Sequence, residues 1–254
     1  MKRPFVRLAL CFFALLTTEH LFSQPNTVEE QKSYAKIADV FNRREDSLIA
    51  AFKAKKISWP PKSLYIRSFK YDRVTEIWVK GNDKDPYRLF TSYPICMQSG
   101  VIGPKRMEGD YQVPEGFYYI NELNPNSNYH LSLGLNYPNA SDRILSDSTR
   151  PGSDIYIHGN CVSVGCIPIN DEHIEELYVL AAYARSAGED FIPVHVFPVN
   201  YDVKRSMDYL TQAIKDNKSL KKFAFNLKEA YDYFEAKKQL PVILVNKKGE
   251  YIIN

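Results

Sequence analysis

One stretch constrains this chain more than any other: Asp154-Ile155-Tyr156-Ile157-His158-Gly159-Asn160-Cys161-Val162-Ser163-Val164-Gly165-Cys166-Ile167-Pro168-Ile169. Ile155 and Ile157 alternate with their neighbours, the period of a β-strand with one buried face. The strand ends at His158. A loop of small residues follows and delivers Cys166 just before a second short apolar run. A thiol nucleophile needs a base within hydrogen-bond reach and a backbone free to approach a substrate carbonyl. His158 and Cys166, with Gly159, Ser163 and Gly165 around them, supply those parts.

The sequence beyond the loop holds it in place. Asn170 is a helix cap, with Asp171 and Glu172 in the first turn. Ile174, Leu177, Tyr178, Ala181 and Ala182 then recur at helical spacing and define one buried face. A loop held between a strand and a packed helix is a built feature rather than a linker.

His-Gly followed by Ser-x-Gly-Cys resembles the catalytic motif of the L,D-transpeptidase (YkuD-type) family. Val164 stands where most of that family has a second histidine, and the gap from His158 to Cys166 is shorter than usual. Both departures match the YafK-like branch, which reads His-Gly-x-Cys-Val-Ser-x-Gly-Cys and also accommodates Cys161. A second block, in the expected order, resembles the same branch: Cys96-Met97-Gln98-Ser99-Gly100, then Gly103-Pro104-Lys105, Gly109-Asp110 and Pro114-Glu115-Gly116-Phe117-Tyr118. A third segment, Tyr137-Pro138-Asn139 through Asp142-Arg143, is similar to one that precedes the family's His-Gly strand. The likeness runs from about Lys62 to about Asn246.

The resemblance implies an α+β fold with a β-rich L,D-transpeptidase-like catalytic core and flanking helices. It implies Cys166 as nucleophile, His158 as base, and Gly165, Ser163 and Gly159 as oxyanion and support residues. Arg143, Asn139 and Lys105 become candidates for substrate binding. Arg143 offers a planar fork to a carboxylate, with a surface ion pair to Asp142 or another acid as the competing reading. The implied substrates are peptidoglycan stem peptides at diaminopimelate, either crosslinked or released from a wall-linked protein. No cofactor or metal is expected.

Taken in order, the chain opens with a basic segment, MKRPFVR, and an apolar run, LALCFFALL, too short to span a membrane. Residues 1–23 read as a secretory signal, so the protein is expected to be exported, to the periplasm or cell envelope. An uncleaved anchor, or lipidation at Cys11, are the competing readings. The formal charge of +3 falls to about +1 without that segment, which gives no electrostatic case for nucleic acid. Residues 24–61 contain one long amphipathic helix over 28–56, striped by Tyr34, Ile37, Ala38, Phe41, Leu48 and Phe52, ending before Trp59-Pro60-Pro61. It reads as a packing helix, with partner binding as the alternative.

Residues 62–200 form the expected catalytic domain. Ser63–Lys70, Glu76–Lys80 and Arg88–Tyr93 read as an antiparallel meander. The Gly- and Pro-rich run from Cys96 to Tyr118 reads as tight turns. Tyr129–Leu135 and Phe191–Phe197 read as strands, the latter an edge or a strand start because of Pro193. Residues 201–254 read as an extension of two helices, 205–216 and 220–237, and a β-hairpin.

The remaining chemistry admits alternatives. His130 and His195 read as packed or edge residues of strands, and His173 as a rival base. Cys96, Cys161 and Cys166 allow a Cys96–Cys161 disulfide that leaves Cys166 free, or a Cys161–Cys166 pair acting as a redox switch. A zinc site of His158, Cys161, Cys166 and His173 is a third option, although its spacing fits no usual cluster. A catalytically silent wall-binding module and a thiol redox protein are the competing functions.

Overall fold

A computed structural model describes residues 27–254. The expected signal segment, with Cys11 and His20, lies outside the described residues. An eight-stranded sheet in the order β3-β2-β1-β8-β4-β5-β6-β7 is the centre of the fold. β1 (Ser63–Phe69), β2 (Val74–Lys80) and β3 (Arg88–Pro94) form the expected antiparallel meander. β4 (Gly116–Asn124), β5 (Ser132–Leu135), β6 (Tyr156–His158) and β7 (Ile167–Pro168) make the other half. β8 (Ile192–Phe197) joins the halves, parallel to β1 and antiparallel to β4.

The sheet is covered on both sides, so its central strands are apolar on both faces. Leu64 and Ile66 of β1 and Ile192, Val194 and Val196 of β8 share one core with α2 (Ala35–Ala54) and α4 (Asp171–Ser186). The alternate residues Phe69 and Phe197 face a second core built with α5 (Lys204–Ala213), α6 (Lys218–Lys237) and the hairpin of β9 (Ile243–Val245) and β10 (Tyr251–Ile253). Buried Arg67 ties α6 to the sheet through Glu76 at 2.7 Å and Glu235 at 2.6 Å.

Four elements differ from the sequence reading. The single N-terminal helix is two, α1 (Val28–Lys32) and α2, because Tyr34 is extended between them. The capping box of Thr27 and Glu30 stabilises the short first one. Gly116–Tyr118 belongs not to a turn but to β4, an interior strand. Tyr129–Leu131 forms a turn, so β5 begins only at Ser132. β8 is central rather than an edge, and Pro193 falls at its start, as the other reading of that residue had it. Pro193 is tolerated there because pairing with β1 starts at Val194, one residue later. A short helix, α3 (Ala140–Leu145), also went unread. No helix among the described residues is long and apolar enough to cross a membrane.

Candidate active site

β6 lies between β5, antiparallel, and β7, parallel. Ile157 and Ile167 pair and point into the core, so His158 and Pro168 share the opposite face. The loop from Gly159 to Cys166 runs back along β6. It returns the chain level with Tyr156, whose N–H donates to the Cys166 Sγ at 3.4 Å. His158 therefore ends β6 while Cys166 immediately precedes the neighbouring β7, about two residues apart along the sheet.

His158 is 1% exposed. Its Nδ1 is hydrogen-bonded to the Gly159 carbonyl. A carbonyl only accepts, so Nδ1 carries the proton and Nε2 keeps the basic lone pair. Burial pushes the imidazole pKa below its ordinary value, opposed by that carbonyl contact. At neutral pH His158 is a neutral base of fixed tautomer. Tyr129 lies against its ring.

Cys166 is the free thiol among the described cysteines. Its S–H donates to the Asp154 carbonyl at 3.6 Å. Burial raises its pKa. The Tyr156 N–H opposes that rise, Asp154 adds to it, and Lys105 opposes it. The resting group is a thiol rather than a thiolate. No hydrogen bond joins it to His158; its partners are Tyr156 and Asp154.

The loop is fastened at several points. The Ser163 hydroxyl donates to the Cys166 carbonyl at 2.8 Å, accepts from the Gly165 N–H at 3.2 Å, and meets the Ser99 hydroxyl at 3.2 Å. Ser163 thus orients the backbone of the candidate nucleophile, and the Gly159 carbonyl orients the imidazole. The Gly165 N–H is engaged by Ser163, whereas no turn, loop or side-chain acceptor among the described residues takes the Cys166 N–H. Gly165 has φ +138°, and a Cβ there would lie 3.1 Å from the Gln112 carbonyl. A Cβ on Gly159 would lie 2.5 Å from the Asp171 carboxylate, which accepts from the Asn160 N–H at 2.7 Å. Cys96 and Cys161 form a disulfide with Cα atoms 5.5 Å apart. That bond ties the loop to the segment after β3 and removes Cys161 from any pairing with Cys166.

Cys166 opens onto a cleft of about 500 Å³ whose walls include Lys105, Tyr111, Arg150, Gly152, Asp154 and Val164. Of the substrate-binding candidates, Lys105 lines this cleft, where it donates to Asp110 at 2.6 Å and the Met107 carbonyl at 2.9 Å. Asn139 does not. It caps α3, accepting from the Asp142 N–H at 2.9 Å, and donates to Phe117 and Tyr251, each at 2.9 Å. Its polar atoms are consumed by the fold. Arg143 is exposed on α3, donates to the Pro138 carbonyl at 3.1 Å, and is not among the lining residues. The ion pair read for it with Asp142 fails as well, because Asp142 pairs with Arg106 at 3.1 Å.

The other histidines point elsewhere. His173 stacks on Tyr93 and bonds the Ile169 carbonyl at 2.8 Å. His195 is buried against Tyr65, and burial pushes its pKa down to about 3. His130 bonds Glu175 at 2.8 Å. With Cys161 oxidised, the four zinc-ligand candidates do not converge. No group of three or more His, Cys, Asp or Glu among the described residues is arranged to hold a metal. Sequence reading missed the cleft wall from Thr149 to Asp154. Its signal was the turn cluster Pro151-Gly152-Ser153-Asp154 directly before the His158 strand.

Similarity to known proteins follows the same segments. The chain is 34% identical over 193 residues to YafK of Escherichia coli K12, a protein named for L,D-transpeptidase activity; the match covers 75% of this chain and 74% of the relative. Among solved structures, the helical cell shape determining protein Pgp2 of Campylobacter jejuni aligns with TM-score 0.42 and 18% identity, over 72% of this chain and 73% of the other. Bd1075 of Bdellovibrio bacteriovorus aligns with TM-score 0.40 and 20% identity, over 75% and 80%. Residues 66–196 match the YkuD family, described as the L,D-transpeptidase catalytic domain, a span that holds His158, the Gly-rich loop and Cys166 together. The chain belongs to the L,D-transpeptidase catalytic domain family.

Proposed function

We propose that this chain is an exported cysteine acyltransferase acting on peptidoglycan stem peptides at diaminopimelate through a thioacyl-enzyme. The observation that carries this reading is a free Cys166 thiol at a cleft, one residue before the strand that pairs with the one ending in a buried His158 of fixed tautomer, all within a family-matched span. Export is supported by the basic and apolar N-terminal sequence, and by a disulfide that needs an oxidising compartment.

In this mechanism Cys166 turns from the Asp154 carbonyl toward the Nε2 of His158. Catalytic contacts of this kind commonly tighten only when substrate binds. Nε2 takes the thiol proton as sulfur attacks the amide carbonyl. The Cys166 N–H meets the developing oxyanion; in other enzymes losing one such donor costs about 3 kcal/mol. The imidazolium then protonates the departing amine, leaving a thioester. An amine acceptor completes transpeptidation, and water completes hydrolysis, including release of a protein linked to diaminopimelate.

The test is mass spectrometry of defined diaminopimelate muropeptides, with and without a linked peptide, incubated with the protein and with Cys166→Ala. A Cys166-dependent crosslink or exchanged D-amino acid identifies a transferase. A Cys166-dependent loss of the linked group with gain of water identifies a hydrolase. Equal products from both proteins would overturn the reading.

A further inference from the structure

A second cleft, of about 410 Å³, is lined in part by Gln98 and Gly100 of the segment that the disulfide fastens to the nucleophile loop. Its walls include Tyr71, Arg73, Gln98, Gly100, Arg205 and Tyr209. Arg205 and Tyr209 belong to α5, outside the family-matched residues 66–196.

Its chemistry is cationic and aromatic. Tyr71 and Tyr209 stack with centroids 4.0 Å apart and planes 15° from parallel, and Arg205 lies 5.9 Å from the Tyr71 ring. Both arginines are exposed. Neither guanidinium makes an ion pair or side-chain hydrogen bond among the described residues. The nearby charges are already committed. Lys70 donates to the carbonyls of Val101, Gly103 and Val113, each at 2.8 Å, and pairs with Glu115 at 3.1 Å. Asp72 accepts from the Asn200 N–H at 2.6 Å and the Ser206 hydroxyl at 2.5 Å. Two free planar forks beside an aromatic platform match a carboxylate-bearing ligand with an adjoining flat or apolar part.

The wall of this cleft is also the far wall of the nucleophile loop. Ser99, between the lining residues Gln98 and Gly100, meets Ser163, which holds the Cys166 carbonyl. Gln112 accepts from the Val101 N–H at 3.0 Å, and its own carbonyl is the atom nearest a Cβ on Gly165. Two short routes therefore lead from the cleft to the nucleophile.

We infer that the Arg73–Arg205 cleft is a second binding site for a carboxylate-bearing peptide, and that its occupancy is felt at Cys166 through Ser99–Ser163 and Gln112–Gly165. The choice of an acidic wall peptide as occupant rests on the function proposed above. The cleft's preference for carboxylates does not.

The experiment is calorimetric titration of Cys166→Ala protein with γ-D-glutamyl-diaminopimelate and with its fully amidated counterpart. It is repeated in an Arg73→Gln/Arg205→Gln background, whose exposed, unpaired positions leave the fold intact. Expected are saturable binding of the acidic dipeptide and affinity about a hundredfold weaker in the double variant, about tenfold for each arginine. The amidated peptide should bind no better to the parent than to the arginine variant. In protein retaining Cys166, the acidic dipeptide should change the rate of iodoacetamide alkylation, and the arginine variant should lose that change. Equal affinity in the arginine variant would overturn the site, as would equal displacement by inorganic phosphate. An unchanged alkylation rate at saturation would overturn the coupling. Binding that persists in a protein that turns over no muropeptide would sink the proposed function and leave this site standing.

Discussion

The ring of Tyr129 rests against the imidazole of His158, with centroids 4.8 Å apart and planes 34° from parallel. The next residue, His130, holds a positive φ of 67° and bonds Glu175 at 2.8 Å. Glu175 also accepts from Arg43 and Arg44 of α2, each at 2.7 Å. The turn that packs the candidate base is thus pinned by the N-terminal helix. Tyr129 is 45% exposed, so Tyr129→Ala should leave the fold intact. Its effect should fall on kcat, about tenfold, with KM nearly unchanged. A steady-state comparison on a muropeptide checks this; a pure KM effect would place Tyr129 in substrate binding instead.

Glu175 should make the attachment of α2 sensitive to acid. Burial opposes its ionisation, but hydrogen bonds from Arg43, Arg44 and His130 outweigh that and hold the carboxyl below its ordinary value. A carboxyl lowered by folding stabilises the fold above its unfolded pKa and loses that contribution as pH falls through the folded value. Glu175→Gln should therefore lower Tm by several degrees at pH 7 and by much less at pH 3. Thermal scans across that range decide it; a constant difference would show that the charge is not the source.

Cys166 and His158 should give different pH profiles in two assays. Burial raises the thiol and lowers the imidazole. Alkylation of the free protein by iodoacetamide should climb above the ordinary thiol pKa, because only thiolate reacts. Turnover should persist at lower pH, limited on the acid side by a His158 that titrates below its usual value. His158→Ala should abolish turnover while alkylation at high pH survives. An alkylation midpoint below the ordinary thiol value would contradict the resting thiol.

The fastenings of the loop predict graded losses. Ser163→Ala removes three contacts of one hydroxyl and should cost about 1 kcal/mol in stability, with a larger loss in kcat. Gly165→Ala forces a side chain onto φ +138° and toward the Gln112 carbonyl. It should cost about 1–3 kcal/mol and should nearly eliminate Cys166-dependent turnover. Denaturant titration alongside kinetics separates the two effects.

Replacing Cys96 and Cys161 together by Ser opens a covalent link across 65 residues. Loop entropy sets the cost at about 4 kcal/mol. The Ser99–Ser163 contact loses its tether as well, so activity should fall at temperatures where the variant remains folded. Full activity in a folded variant would show that the hydroxyl contacts suffice.

Much of the site was legible because it is local in sequence. His158, the small-residue loop, Cys166 and the Asn170 cap lie within 13 residues, and their spacing carries their geometry. The strands β1 to β3 also announce themselves by alternation. β4 did not, because Pro114 and Gly116 punctuate its start and mask an interior strand as a turn. Pro193 left open an edge or a strand start, and only tertiary pairing with β1 decides for the start of a central strand. Asn139 and Arg143 showed polar side chains whose direction only the fold decides: one was absorbed into a helix cap, the other into solvent. Tyr129, His130 and Glu175 meet across 47 residues and left no local signal.

The thiol of Cys166 is protonated at rest and tethered to the Asp154 carbonyl, and its neighbour Cys161 is already spent on Cys96. It is the thiolate that attacks peroxides and foreign disulfides, and the thiol is far less reactive. If the proposed function holds, the burial that makes Cys166 a sluggish nucleophile on its own would also slow its oxidation in an oxidising compartment until substrate is bound.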